Sequence, residues 1–171
     1  MNAFVFGKLP THRDFVVRGL DAAARDWWDG WLSGQLLDAR RTLGDAAFED
    51  AYDRAPVWRF LLTHEGVRMA GALAPSVDGA GRRFPIVAAL YGNVGDDAAE
   101  TCENSVYDGF DQGWHVDQLY DALAAATVGG GPASCEDKWW TLGNDEFPEA
   151  TLSGEHPEGL WRMMILPGGA N

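Results

Sequence analysis

The residues of this sequence best suited to covalent or metal chemistry are one framed serine, four histidines and a short run of carboxylates. Ser76 stands in APSVD, with Asp78 two residues on. A serine nucleophile needs a histidine base, and the common hydrolase arrangement places that serine in a GxSxG elbow. No such elbow occurs, and His12, His64, His115 and His156 are scattered without a diagnostic neighbour. A triad is assembled in space, so a hydrolase-like enzyme using Ser76 stays open as the alternative. Asp96, Asp97, Glu100 and Glu103 can share one helical face, where four carboxylates could hold a hard cation. The calcium-loop pattern is missing, and acids favoured by the dipole of a first helical turn explain them as well. His64 in HEG lacks the second histidine of a zincin motif. No catalytic, cofactor or metal residue is therefore expected.

Two basic segments carry denser chemistry. GAGRRFP at 79–85 sets glycines before Arg82 and Arg83. It lacks the phosphate-loop pattern GxxxxGK[ST] and precedes a strand, so the arginines matter as forks for carboxylates. They either pair with Asp78 and fix the loop or lie open to an acidic partner; the pairing is favoured. GKLPTHRDFVVRGL at 7–20 interleaves Lys8, Arg13, Asp14 and Arg18 with apolar residues. Buried unpaired charge is strongly destabilising, so these groups must be paired or lie at the surface. Arg13 and Asp14 beside Phe15 read as a loop pinned by an apolar anchor.

The elements that must position these groups follow from pattern. AFVFGK at 3–8 alternates and reads as a strand ended by Leu9–Pro10. Asp21 can cap a helix over 22–43, in which Trp28, Trp31, Leu32, Gln35 and Leu36 recur at helical spacing. Those tryptophans are either core or a partner-binding stripe; core is the favoured reading. A second helix runs from Asp45 to Pro56. Strands follow at 57–62, 67–75 and 84–91, joined by short links that force antiparallel pairing. Helices are expected from GNVGDD onward and at 116–127, broken at DQGWH. KWWTL at 138–142 and LWRMMIL at 160–166 read as final strands. VGGGPAS at 128–134 reads as a loop and PGGAN at 167–171 as a loose end. The sum is one domain over 1–171 of class α/β: a layered sandwich with a central, largely antiparallel mixed sheet flanked by helices.

Composition narrows the function. The 171 residues are 46% hydrophobic and include eight Trp and eight Phe, enough for a core without disulfides or metals. Cys102 and Cys135 lie outside any ligand motif and read as free thiols of a reducing cytosol. The N-terminus lacks a secretory h-region, and no apolar run is long enough for membrane insertion, so a cytoplasmic protein is expected. The net charge of −13 is lopsided: residues 1–83 carry eleven acids and eleven bases, whereas 84–171 carry fifteen acids against Lys138 and Arg162. Nucleic acid and anionic membranes would be repelled, and a partner with a basic face would be steered to the C-terminal half.

Taken in order, FGKLPTHRDFVVRGL at 6–20, the Trp-rich helix at 27–36, PVWRF at 56–60, GALAPSVDGAGRRFPIV at 71–87 and KWWTL at 138–142 resemble the TagF family, also called ImpM, of type VI secretion-associated proteins. PSVD followed by GRRFP is the most specific of these, and Arg13 stands where related sequences often carry glycine. The resemblance implies a cytoplasmic, non-enzymatic, post-translational regulator that restrains the secretion apparatus. It also implies a forkhead-associated (Fha) scaffold as partner. A structural component of the apparatus is a further alternative, and the oligomeric state is left open. Two surfaces are candidates for the contact: the Lys8–Phe15 loop (Lys8, Arg13, Asp14, Phe15) with the Ser76–Arg83 loop (Ser76, Asp78, Arg82, Arg83), and Trp139–Trp140 with nearby acids. Adjacent strand residues face opposite sides, so at least one of those tryptophans should be core.

Overall fold

The computed structural model describes residues 2–130, 136–157 and 159–166. The readings of Cys135, of the end of the glycine-rich loop and of the tail from Pro167 lie outside the described residues. Seven strands, β1 (Asn2–Gly7), β2 (Val16–Arg18), β3 (Trp58–His64), β4 (Val67–Ala74), β5 (Ile86–Tyr91), β6 (Lys138–Thr141) and β7 (Ala150–Ser153), form one sheet in the order β2-β1-β5-β4-β3-β6-β7. Every described pairing is antiparallel. The expected meander of three consecutive strands is its centre, since β4 pairs with both β3 and β5. Among the described residues, five helices complete the α/β architecture: α1 (Ala22–Leu43), α2 (Asp45–Arg54), α3 (Asp96–Gln112), α4 (Val116–Ala125) and α5 (Leu160–Ile165).

Alternation along the strands divides the core into two layers. Phe4, Phe6, Trp58, Phe60, Leu62 and Trp139 point to the face covered by α1, α2 and α5. Val5, Ala70, Ala72, Ala88 and Leu90 point to the face covered by α3 and α4. The first face is built from large aromatic side chains; the alanines of the second let α3 lie close to β4 through Ala98, Ala99 and Cys102. Trp28 is buried among Phe4, Phe60 and Trp31, so the tryptophans of α1 serve mainly as core. Gly71 supplies room on the aromatic face. A Cβ there would come 2.4 Å from the Ala88 carbonyl oxygen and 2.5 Å from the Phe60 ring.

Helix limits follow their caps. The Asp21 carboxylate accepts the Ala24 amide at 2.8 Å, and Gly44 at φ 81 ends α1. Gly113, at φ 64, ends α3 where a break was expected at DQGWH.

One expected strand is a helix. LWRMMIL at 160–166 is a continuous apolar run, which by periodicity fits either state. In the fold it winds into α5 and buries Leu160, Trp161, Met164 and Ile165, the spacing of a single helical face, against α1 and α2. The place beside β6 at the sheet edge is taken by the short β7, which the sequence did not signal. The three-residue β2, directly after the Lys8–Phe15 loop, pairs with β1 in a stretch to which the sequence assigned no element.

Candidate functional site: two interlocked loops

The loop after β1 and the loop between β4 and β5 are brought together at one end of the sheet, and Asp78 is the knot. Its side chain is fully buried. Its Oδ1 accepts the amides of Ala80 and Arg82, both at 3.0 Å. Its Oδ2 accepts Arg82 Nε at 2.8 Å and Lys8 Nζ at 2.9 Å. Burial alone would push this carboxyl up. The Arg82 amide, the Lys8 ammonium, the Ala80 amide and the Arg82 guanidinium outweigh it and hold the carboxyl well below its usual range. Asp78 is thus held as an anion at neutral pH and shapes both loops.

Backbone bonds extend the interlock. Gly79 donates its amide to the His12 carbonyl at 2.6 Å, an approach that leaves a Cβ only 3.2 Å from the Pro10 oxygen. Asp78 donates its amide to the Arg82 carbonyl, and Phe84 donates to Ser76, closing a small hairpin around Gly81 at φ 80. Arg82 Nη2 reaches across to the Arg13 carbonyl at 2.6 Å. Phe15 stacks on Phe6 and meets Phe84 edge-on at 4.7 Å, with Lys8 Nζ 5.1 Å from its ring centre. The anchored loop read from the sequence is present, but Phe15 remains 46% exposed.

Of the two loop arginines, Arg82 makes the expected pair with Asp78 and Arg83 does not. Arg83 grips Asp53 of α2 in a fork, both bonds at 2.7 Å, and reaches Glu49 at 3.2 Å. That fork holds the Asp53 carboxyl below its ordinary value against the opposing effect of burial. Arg18 pairs with Asp117 of α4.

Ser76 is buried, and its hydroxyl donates to the Lys8 carbonyl at 2.7 Å. Its own carbonyl accepts the Tyr52 hydroxyl, which in turn accepts the Ser76 amide, both at 2.9 Å. Burial pushes the Tyr52 phenol far up, so it stays a neutral strut. His12 bonds elsewhere: its Nε2 accepts the Val116 amide at 3.1 Å, at the start of α4. Thr11 adds a bond to the Trp114 carbonyl.

Of the loop side chains singled out from the sequence, Arg13, Asp14, Phe15 and part of Arg82 face outward. Lys8, Ser76 and Asp78 are buried and shape that surface from below. Beside it lies an open groove walled by Pro10, Pro75, Val77 and Phe110. Tyr52 and Asp53 complete the scaffold and were not singled out by the sequence, because nothing in AYDRAP signals a partner more than twenty residues away; His12, named there only as a scattered histidine, serves the scaffold too.

The second candidate surface is divided by the strand. Trp139 is fully buried against Phe60 and Trp31, and its indole donates to the Glu155 carbonyl at 3.0 Å. Trp140 lies half-buried on the other face under Lys138. The four carboxylates in the first half of α3 do not converge on one point: Asp96 goes to Lys138, Asp97 to the Ala98 and Gly129 amides, Glu103 to Arg59, and the exposed Glu100 lies at 4.0 Å from the same arginine. Among the described residues, no histidine, cysteine, aspartate and glutamate side chains gather in a group of three or more that could hold a metal. No helix among the described residues is long and apolar enough to cross a membrane.

Comparison with known proteins agrees with this architecture. The fold matches the crystal structure of PA0076 from Pseudomonas aeruginosa PAO1 with a TM-score of 0.81, at 23% identity, over 99% of this chain and 96% of that one. No curated protein matches the chain in sequence. The family model described as the TagF N-terminal domain, type VI secretion system-associated, matches residues 5–126. That span contains both interlocked loops and all of α1 to α4, and so the chain belongs to the TagF N-terminal domain family of type VI secretion system-associated proteins.

Proposed function

We propose that this chain is a non-enzymatic, cytoplasmic regulator of the type VI secretion system that represses it post-translationally. It does so by binding another protein, a forkhead-associated scaffold, through the surface formed by the two interlocked loops. The observation that carries this reading is the buried Asp78, which spends its bonds on holding an exposed surface in one shape. A preformed surface lowers the ordering cost of association. The engagement of the Ser76 hydroxyl by the Lys8 carbonyl supports a structural role for that serine over a nucleophilic one.

The test is capture from native cytosol with the full chain as bait. Arg13→Glu with Asp14→Lys changes only exposed side chains, so the fold is retained. Recovery of the scaffold by the wild type and its loss with this variant supports the reading. Equal recovery with both moves the contact elsewhere, and recovery of no secretion component with either overturns the proposed role.

A further inference from the structure

The two edges of the sheet are finished differently. An edge strand exposes unpaired amides and carbonyls, and folds blunt it with charge, proline or cover. At one edge β2 is three residues long, carries Arg18, and is tied through that arginine to Asp117 of α4. At the other edge β7 reads ATLS, with neither charge nor proline inside it. Among the described residues, β7 has a paired neighbour on its β6 side alone.

The pairing decides which groups of β7 face outward. Gly154 donates its amide to the Asp137 carbonyl at 2.7 Å, one step beyond the pair of Ser153 with Lys138. Bonded and non-bonded pairs alternate along an antiparallel ladder. Leu152 and Ala150 therefore bond to β6, and the amides and carbonyls of Thr151 and Ser153 point away from it. Ala150 and Leu152 pack on the aromatic core layer, which holds the strand in place, whereas the side chains of Thr151 and Ser153 are exposed. Thr151 pairs with the half-buried Trp140, and Leu142, directly after β6, is 59% exposed.

Charge around this edge has one sign. Residues 136–157 hold six acids against Lys138. Lys138 is already paired with Asp96. Asp137, Glu146 and Glu155 are engaged by Arg68, Arg54 and His64. Glu136, Asp145 and Glu149 are exposed and have no ion-pair partner among the described residues. Glu149 and Glu155 bracket the strand in sequence, so each end of β7 lies next to a carboxylate.

We infer that the outer edge of β7 is a docking site for an extended, basic segment of a partner protein, which adds to the seven-stranded sheet as a further strand. The segment carries lysine or arginine at its ends and β-branched residues between them. Main-chain bonds to Thr151 and Ser153 supply the pairing, and the flanking cations meet the acids at the ends of β7. A second copy of this chain is disfavoured as the occupant, because two β7 edges would bring uncompensated acids together. The site lies at the opposite edge of the sheet from β2 and stands or falls independently of the two-loop surface.

The probe is a fluorescein-labelled peptide, Lys-Lys-Val-Thr-Val-Thr-Lys-Lys, titrated with the full chain and read by anisotropy at low ionic strength. It binds the wild type. Thr151→Pro removes an outward amide and leaves the bonds to β6 in place, since proline is tolerated where an edge amide faces solvent. Binding to that variant falls at least about tenfold. The same peptide with its four central amides N-methylated repeats the test on the unaltered chain, and serves if Thr151→Pro lacks a cooperative thermal transition. It too binds at least about tenfold more weakly. No binding of the unmodified peptide to the wild type overturns the inference. Equal binding to wild type and folded variant, or of methylated and unmodified peptide, reduces the contact to charge attraction and overturns it as well. A peptide with glutamate in place of every lysine that binds as tightly overturns the basic partner. So does a dimer of the chain, seen by sedimentation, that Thr151→Pro abolishes, since the occupant is then a second copy.

Discussion

At the scale of single residues, the site turns on a carboxylate whose charge is fixed by its surroundings. Folding lowers the Asp78 pKa below its ordinary 3.8, so the group contributes stability that is present above that value. That contribution is lost as pH falls below it, because the unfolded chain then binds the proton first. Asp78→Asn should lower Tm at neutral pH, leave Lys8 buried without its counter-ion, and flatten the fall of Tm below pH 4. Thermal unfolding followed by circular dichroism across that range checks it. Ser76 contributes in a smaller way: Ser76→Ala removes one hydrogen bond to the Lys8 carbonyl and should cost about 1 kcal/mol in denaturant unfolding. Cys102 is deeply buried, and burial pushes its thiol up to about 12. In a Cys135→Ser background, a thiol reagent should label Cys102 only when the chain unfolds, read by mass spectrometry against denaturant.

Elements position these residues through particular close approaches. The β3–β4 pair admits the Phe60 ring because Gly71 lies opposite it. Gly71→Ala overpacks this site and should destabilise the fold by about 1–3 kcal/mol, seen as a lower denaturant midpoint with an unchanged slope. The first loop is tied to α4 by His12, whose unprotonated Nε2 takes a helix-start amide that would otherwise lack an intrahelical acceptor. Its pKa is lowered from 6.5 by burial, by His115 and by Arg18, against a smaller opposing effect of Asp117. The neutral form is therefore favoured in the fold, and its stabilisation is present above 6.5 and lost as pH falls below it. His12→Ala should remove that part of the pH dependence between about pH 7 and 5, measured by Tm.

For the whole molecule, the charge asymmetry of the sequence acquires a location. Helices α3 and α4 carry eight acids and neither lysine nor arginine. Arg18, Arg59 and Lys138 reach them from β-strands. Asp108, Asp111 and Asp121 are exposed and without an ion-pair partner among the described residues. Replacing all three with Asn should raise Tm slightly at low ionic strength, and the gain should vanish in about 1 M salt, where screening acts within about 3 Å.

The sequence by itself determined most of the local elements, though not β2, β7 or α5, and much of the layering. Strand alternation at 3–8, the capped Trp-rich helix and the three strands with short links left an antiparallel meander as the arrangement their geometry allows. The interlocking segments were legible too, because charges mixed with apolar residues after a strand must find partners, and glycines beside arginines mark a shaped loop. Which partners they find was decided only by tertiary structure. Arg82 meets Asp78, but Arg83 turns to α2, since a guanidinium reaches whichever carboxylate the packing places at its fork. Buried Lys8 and Trp139 separate from exposed Arg13 and half-buried Trp140 for the same reason. The C-terminal LWRMMIL was least legible: a short apolar run satisfies a buried strand or a buried helix equally. The groove between α1 and α2, formed by residues more than a hundred positions earlier, selected the helix.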